Sequence, residues 1–343
     1  VGLGSATITT PKTEYVVSLT YNGTNIQGKI NNTSNKLIVK IPYTNGSGSY
    51  TKVTSQAVTT AVGQNNDTNT LTLNIPQGNF GVNGYLDATI TVSGRDQEYL
   101  VKQMAPGKSY TIATIPYQLN GKSYQLVLKG IGGIPDKKFG VQTNGKLEHQ
   151  FVYIPIMGSD GKLWLNNNLG ADYSNLNSSA FNPLQQATSL SDKNAYGSHF
   201  QWGRDADGHE LITYPTSTSG QRVHQNIPLY RYDQLQTYTN PCPAGYHVPT
   251  KDEWQAYLNL LSSKNAAGWF ADPLKLTYAG DLNQQGSWHP APGANSGWFW
   301  SSSPNSSGYA WYLTFNGSDS YTSSNNYGNR NRYWGRPLRC RQD

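Results

Sequence analysis

Few groups in this chain are placed to do chemistry. The densest set is Asp205-Ala206-Asp207-Gly208-His209-Glu210, whose spaced carboxylates resemble part of a calcium loop. A loop of the EF-hand kind needs further oxygen ligands beyond Asp207 and a bidentate Glu at its last position. Counted from Asp205, that position is Thr216, so the stretch reads as a polar turn. The six histidines (His149, His199, His209, His224, His247 and His289) lie far apart, and neither His-x-x-x-His nor Cys-x-x-Cys occurs. Those are the spacings that gather zinc ligands. No nucleophile-elbow pattern supports a Ser-His-Asp triad. The glycines of Gly130-Ile131-Gly132-Gly133 are followed by no Gly-Lys-Ser/Thr and no helical pattern, which removes a phosphate loop. No catalytic residue, metal ligand or cofactor is expected, and the chain is not expected to be an enzyme.

Binding vocabulary, by contrast, is concentrated at the C-terminal end. Between Asn305 and Tyr333 most residues are Asn, Ser, Tyr or Gly. Antibody loops use the same set for adaptable contacts, while ordinary turns use Asn, Ser and Gly without five tyrosines. Across 310–316, Trp311, Leu313 and Phe315 alternate with Tyr312, Thr314 and Asn316. A strand sends these to opposite faces, so the first set is expected in the core and the second on display.

The elements that must carry this surface follow from composition. A chain of 343 residues with 13% charged residues and much Gly, Asn, Ser, Thr and Tyr suits two domains of short strands and many turns. Nine Trp and 24 Tyr argue against disorder. The net charge of +6 is scattered rather than grouped, so no nucleic-acid partner is expected. No run approaches the ~20 apolar residues that span a bilayer. The chain opens at Val1 without Met or a signal-like run, as a mature or trimmed chain would. Its Asn- and Thr-rich, Lys-poor composition leans towards an extracellular or cell-surface location.

Residues 13–21, 36–42, 70–75, 85–93 and 98–104 read as strands. Turns are expected at Tyr21-Asn22-Gly23, Thr44-Asn45-Gly46 and Gln64-Asn65-Asn66-Asp67. The spacing predicts an all-β, immunoglobulin-like sandwich over 1–135, serving as a spacer or assembly module. Its boundary falls within 105–147, with Gly130 to Pro135 as the linker. Residues 136–343 form the second domain. There, 150–156 and 163–165 flank Gly158-Ser159-Asp160-Gly161 as a hairpin, and the irregular run 166–239 is expected to be packed down by Phe181, Tyr196, Phe200, Trp202 and Tyr214. Thr250 and Glu253 form a capping box ahead of Trp254, Tyr257, Leu258 and Leu261, one face of a helix. Glu253 is thereby structural. Cys242 and Cys340 are either one bridge, closing a long loop worth roughly 4–5 kcal/mol, or two buried thiols.

Four stretches then occur in order: Phe200-Gln201-Trp202-Gly203-Arg204; Asn240-Pro241-Cys242-Pro243-Ala244-Gly245-Tyr246-His247-Val248-Pro249-Thr250 with Glu253-Trp254; Phe299-Trp300-Ser301-Ser302-Ser303; and Pro337-Leu338-Arg339-Cys340. From about residue 148 to the end, the chain resembles the Fibrobacter-type major paralogous domain. That domain is a relative of the C-type lectin fold in its formylglycine-generating-enzyme-like branch. The resemblance implies an α+β C-type-lectin-like domain over 136–343 whose two ends meet in one sheet, on a secreted or surface protein of fimbria-like adhesins. The enzymes of that branch use two active-site thiols, whereas Cys242 and Cys340 both sit in framework motifs. The Glu-Pro-Asn, Gln-Pro-Asp and Trp-Asn-Asp triplets of calcium-dependent sugar lectins are absent.

The stretch from Trp300 to Cys340 is further similar to the variable region of diversity-generating-retroelement proteins. That similarity implies a ligand surface of Tyr309, Tyr312, Asn316, Ser318, Asp319, Tyr321, Ser323, Asn325, Asn326, Tyr327, Asn329, Asn331 and Tyr333. Beneath it, Trp300, Trp311, Leu313, Phe315, Trp334 and Leu338 would be scaffold. The expected protein is a surface or secreted adhesin, a candidate fimbrial tip component, that binds a host or bacterial surface protein or glycan. Other pilus or adhesin subunits would meet its N-terminal domain. The rival expectation is a non-variable glycan-capture protein using Trp288, Trp298 and Tyr333.

Overall fold

Alternation of apolar and polar residues builds residues 2–133. In the strand Leu37–Ser47, Val39, Ile41 and Tyr43 are buried while Ile38 faces outward; Gly84–Ser93 buries Leu86, Ala88, Ile90 and Val92 in the same way. These strands pair antiparallel, flanked by Ser5–Ile8 on one side and by Thr70–Ile75 and Val53–Thr54 on the other. A second sheet is the hairpin Ser109–Leu119 and Lys122–Ile131, with Thr13–Val17 added parallel to it. Its turn is Asn120-Gly121, both at positive φ, the backbone that a tight two-residue hairpin demands. Ile112, Ile115, Leu126 and Leu128 from this hairpin share one core with Val39, Leu73 and Ile90.

The computed structural model describes residues 2–290, 295–325 and 330–343. The chain is β-rich with few helices and divides into two compact units, 1–133 and 134–343. Ile134–Pro135 pairs with Val152–Tyr153, which starts the second unit two residues before the expected boundary. Thr44-Asn45-Gly46 is not a turn. The strand runs through it with Asn45 at φ +52°, where the pairing with Ser5–Ile8 shifts register: a β-bulge lets the chain bend without reversing.

The second unit spends less of its chain in ladders. The hairpin Pro155–Met157 and Leu163–Leu165 receives the last strand, Arg341–Gln342, which also pairs with Tyr246–His247. Helix α1 (Lys251–Leu260) has the capping box read from sequence. Thr250 Oγ1 accepts from Glu253 N at 3.1 Å, and Glu253 Oε2 accepts from Thr250 N at 2.9 Å. Trp254, Tyr257 and Leu258 on its inner face join Trp269 of α2 (Ala266–Ala271) in an aromatic-rich core with Trp164, Phe299, Leu313 and Phe315. The run 166–239 is held by buried amides: Asn166, Asn167 and Asn168 donate to the carbonyls of Pro183, Gln185, Ala195 and Tyr196. Cys242 and Cys340 are joined by a disulfide. Among the described residues, no helix is long and apolar enough to cross a membrane.

Candidate binding surface

The C-terminal stretch forms a three-stranded antiparallel sheet, Ser296–Pro304, Ala310–Asn316 and Ser320–Ser323, with Ala310–Asn316 in the middle. Leu313 and Phe315 point into the aromatic core, as their alternation predicts. The other face is covered as well. The guanidinium of Arg336 lies 4.0 Å from the Tyr312 ring centre and 4.4 Å from that of Trp300, and the Tyr312 hydroxyl donates to Asn325 O at 2.6 Å. Tyr312 is therefore buried scaffold, not display surface. Alternation identifies two faces but does not say which is wet, and here the segment 335–340 covers the second one. Trp311, expected in the core, is only half-buried beneath Lys251 Nζ, 4.2 Å from its ring centre.

Asn331 is the second correction. It is fully buried and acts as an added rung beside the strand: Nδ2 donates to Ala310 O and Ser324 O, and Oδ1 accepts from Ala310 N at 2.8 Å. Asn316 is half-buried, and its Oδ1 accepts from the amides of Ser318 and Asp319 to close the turn between two strands. That turn leaves Ser318 and Asp319 exposed, Tyr321 52% exposed, and Asn325 exposed further on. Tyr309 and Ser323 are half-buried. Asn326, Tyr327 and Asn329 lie outside the described residues.

Tyr333, also half-buried, lines a cleft together with Tyr230 and Tyr232. One buried amide ties Tyr333 to Tyr230. Gln201 Nε2 donates to Tyr333 O and Tyr230 O, while its Oε1 accepts from Tyr230 N and from Arg204 Nη1. Gln201 belongs to the Phe200–Arg204 stretch, so that motif acts as the clasp of the cleft. Residues 229–232 and 284–285 were not foreseen, because they fall in loops without periodicity. The one available signal was the local order Tyr-Arg-Tyr at 230–232, an aromatic–cation alternation outside any strand pattern. Trp288, by contrast, is buried against Tyr196 and Tyr214 and offers no face for stacking on sugar.

Three buried arginines hold this surface from behind. Arg332 donates to the carbonyls of Tyr309, Leu235 and Ser306. Arg339 donates to Asn168 Oδ1 and Leu274 O, and burial pulls its pKa down to about 9. Burial also lowers Arg336, against the opposing pull of Tyr312 and Asp281. Asp281 in turn is raised to about 7 by burial, with Arg336 opposing.

Gln201 and Arg204 also donate to His209 and Asp207, which with Glu210 place possible ligand atoms within 4.8 Å of one another. Their atoms are already committed. His209 Nε2 accepts from Gln201 N, which leaves Nδ1 to donate to Asp207 Oδ1 at 2.7 Å. Asp207 Oδ2 takes two donors from Arg204; Glu210 accepts from His149 at 2.5 Å and from Gly208 N. Burial pushes Glu210 upward, but the hydrogen bond and charge of His149 help to outweigh it and hold it below the usual carboxylate range. Asp205 pairs with Lys137 and Lys138. The arrangement is a self-satisfied polar knot. Comparison with protein-family models, with curated proteins and with solved structures finds no match to this chain.

Proposed function

We propose that this is a surface or secreted ligand-binding adhesin, a candidate fimbrial tip component, that meets its target through the Tyr-, Asn- and Ser-rich C-terminal face. The observation that carries the reading is the division of labour around the strand Ala310–Asn316. Both its faces are packed, while the turn, strand and loop beyond it expose Ser318, Asp319, Tyr321 and Asn325. Such positions can change with little cost to folding, since exposed polar substitutions usually move stability by less than ~0.5 kcal/mol. Retroelement diversification of this face belongs to the same proposal. So does the finer fold: an immunoglobulin-like sandwich followed by a C-type-lectin-like domain. The second unit's early hairpin and final strand share one sheet, which supports that assignment. The Cys242–Cys340 bridge supports an oxidising, extracellular setting.

Two experiments test the proposal. Ser318, Tyr321 and Asn325 replaced together by Ala should abolish capture of the target cell surface with the circular-dichroism melt unchanged; retained capture moves the site elsewhere. Sequencing the flanking DNA should find a reverse transcriptase and a near-identical template copy differing only at adenines. Without them the variable reading falls. The second reading, glycan capture, is favoured by the cleft at Tyr333.

A further inference from the structure

We propose that the cleft lined by Tyr230, Tyr232, Arg330 and Tyr333 is a subsite for an acidic saccharide, binding a sugar carboxylate through Arg330. Its volume, about 710 Å³, lies within the roughly 300–1,000 Å³ of small-ligand sites. Among the described residues, two arginines and no carboxylate line it. Arg231 already has Asp233 at 3.6 Å. Arg330 has no hydrogen-bond acceptor among the described residues. Its guanidinium is stacked 3.9 Å from the Tyr232 ring centre, and its stem lies over Gly308, where a Cβ would stand 2.6 Å from Arg330 Cδ. A planar fork fixed by stacking is prepared for bidentate contact with a carboxylate.

The remaining lining selects the rest of the ligand. The side-chain amides of Gln284 and Gln285 make no hydrogen bond among the described residues, and each offers both donors and acceptors to hydroxyl groups. Tyr230 is held rigid, with Arg204 stacked 3.7 Å from its centre and Gln201 gripping its backbone. Tyrosine rings in such a wall give the weakly apolar face of a sugar a surface at low entropic cost. An anion, many hydroxyls and one modest apolar face together describe a uronic or sialic acid. A nucleotide could use the same anion site and the same amides, so adenosine monophosphate is the competitor that the test has to separate.

This rests on reading the C-terminal face as the binding face. The test is titration calorimetry of the full chain with 3′-sialyllactose and with trigalacturonate, against lactose and adenosine monophosphate. Binding of either acidic sugar with lactose weaker by roughly tenfold or more is expected, since a charge-assisted hydrogen-bond pair is worth about that factor. Which acid binds better separates a terminal host glycan from a uronic polysaccharide. Arg330→Gln should reduce the acidic sugar to the lactose level, Arg330→Lys should fall between, and added salt should weaken binding. Equal binding of lactose, tighter binding of the nucleotide, no binding of any sugar, or an unaffected Arg330→Gln variant each overturns the proposal. If acidic sugars fail while the Ser318, Tyr321 and Asn325 variant still loses cell capture, the cleft assignment falls alone. If the chain captures no cell surface either, the adhesin reading falls with it.

Discussion

In residues 2–133 the strands Leu37–Ser47 and Gly84–Ser93 pair over seven consecutive residues, so backbone bonds fix the path of both. In residues 166–239 the longest strand is Ile212–Thr216, and side chains take over that work. Buried asparagines, Gln201 and Arg332 bind backbone carbonyls that no ladder reaches. The difference has a consequence for function. A ladder dictates the path of its chain, whereas a loop gripped at a few carbonyls can take any path between grips. A binding face of irregular outline is therefore built more readily in the second unit than in the first.

The strongest way to break this comparison is to remove the disulfide. Cys242→Ser with Cys340→Ser should lower the stability of residues 134–343 by about 4–5 kcal/mol on loop-entropy grounds. Native-state hydrogen exchange should show amides of the second unit opening while those of Leu37–Ser47 and Gly84–Ser93 keep their protection. Equal loss in both units would mean that they do not hold order separately.

Next in size is the central strand. Phe315→Ala should cost about 3–5 kcal/mol because its ring is buried against Trp269 and Phe299. Trp311→Ala should cost less than half of that, roughly 2 kcal/mol at most, since part of the Trp311 side chain stays in solvent. Urea unfolding compares the two, and equal losses would mean that Trp311 is core after all.

Asn331→Ala sharpens the claim that side chains replace ladders. It strands the Ala310 amide and should cost about 1–3 kcal/mol, where Asn325→Ala should be nearly neutral. A neutral Asn331→Ala in the same unfolding assay would return that residue to the surface.

The smallest effect is a pH dependence at Glu253. Burial raises this carboxyl, but His247, the Thr250 amide and Arg341 outweigh it and bring it to about 2. A carboxyl with a depressed folded pKa binds fewer protons than in the unfolded chain over that interval. Its contribution is present above its unfolded pKa of about 4.3 and lost as pH falls towards 2. Glu253→Gln keeps the helix cap but loses both charge pairs, so its acid unfolding curve should be flatter between those values. An unchanged curve would assign the acid sensitivity to other groups.

How much was legible follows from the kind of force involved. The helix at Thr250 is local, because its cap, acidic first turn and apolar face lie within twelve residues, and the structure reproduces each of them. The hairpin at Asn120-Gly121 is local in the same sense. Thr44-Asn45-Gly46 has turn chemistry of equal strength, yet pairing with Ser5–Ile8 makes it a bulge. Strand alternation puts Tyr312 on display, and the resemblance to variable regions implies the same of Tyr312 and Asn331. Both are buried because segments distant along the chain supply their partners.

By itself, then, the sequence determined the β-rich character, the capped helix, the core phase of Leu313 and Phe315, and the concentration of tyrosine and asparagine near one end. Each depends on composition or on spacing within a few residues. Tertiary structure alone decided that Tyr312 lies under Arg336, that Cys242 meets Cys340, and that Gln201 draws Tyr230 and Tyr333 into one cleft. Those depend on contacts between residues up to 132 positions apart. Only the closing of the whole chain brings such groups within hydrogen-bonding distance.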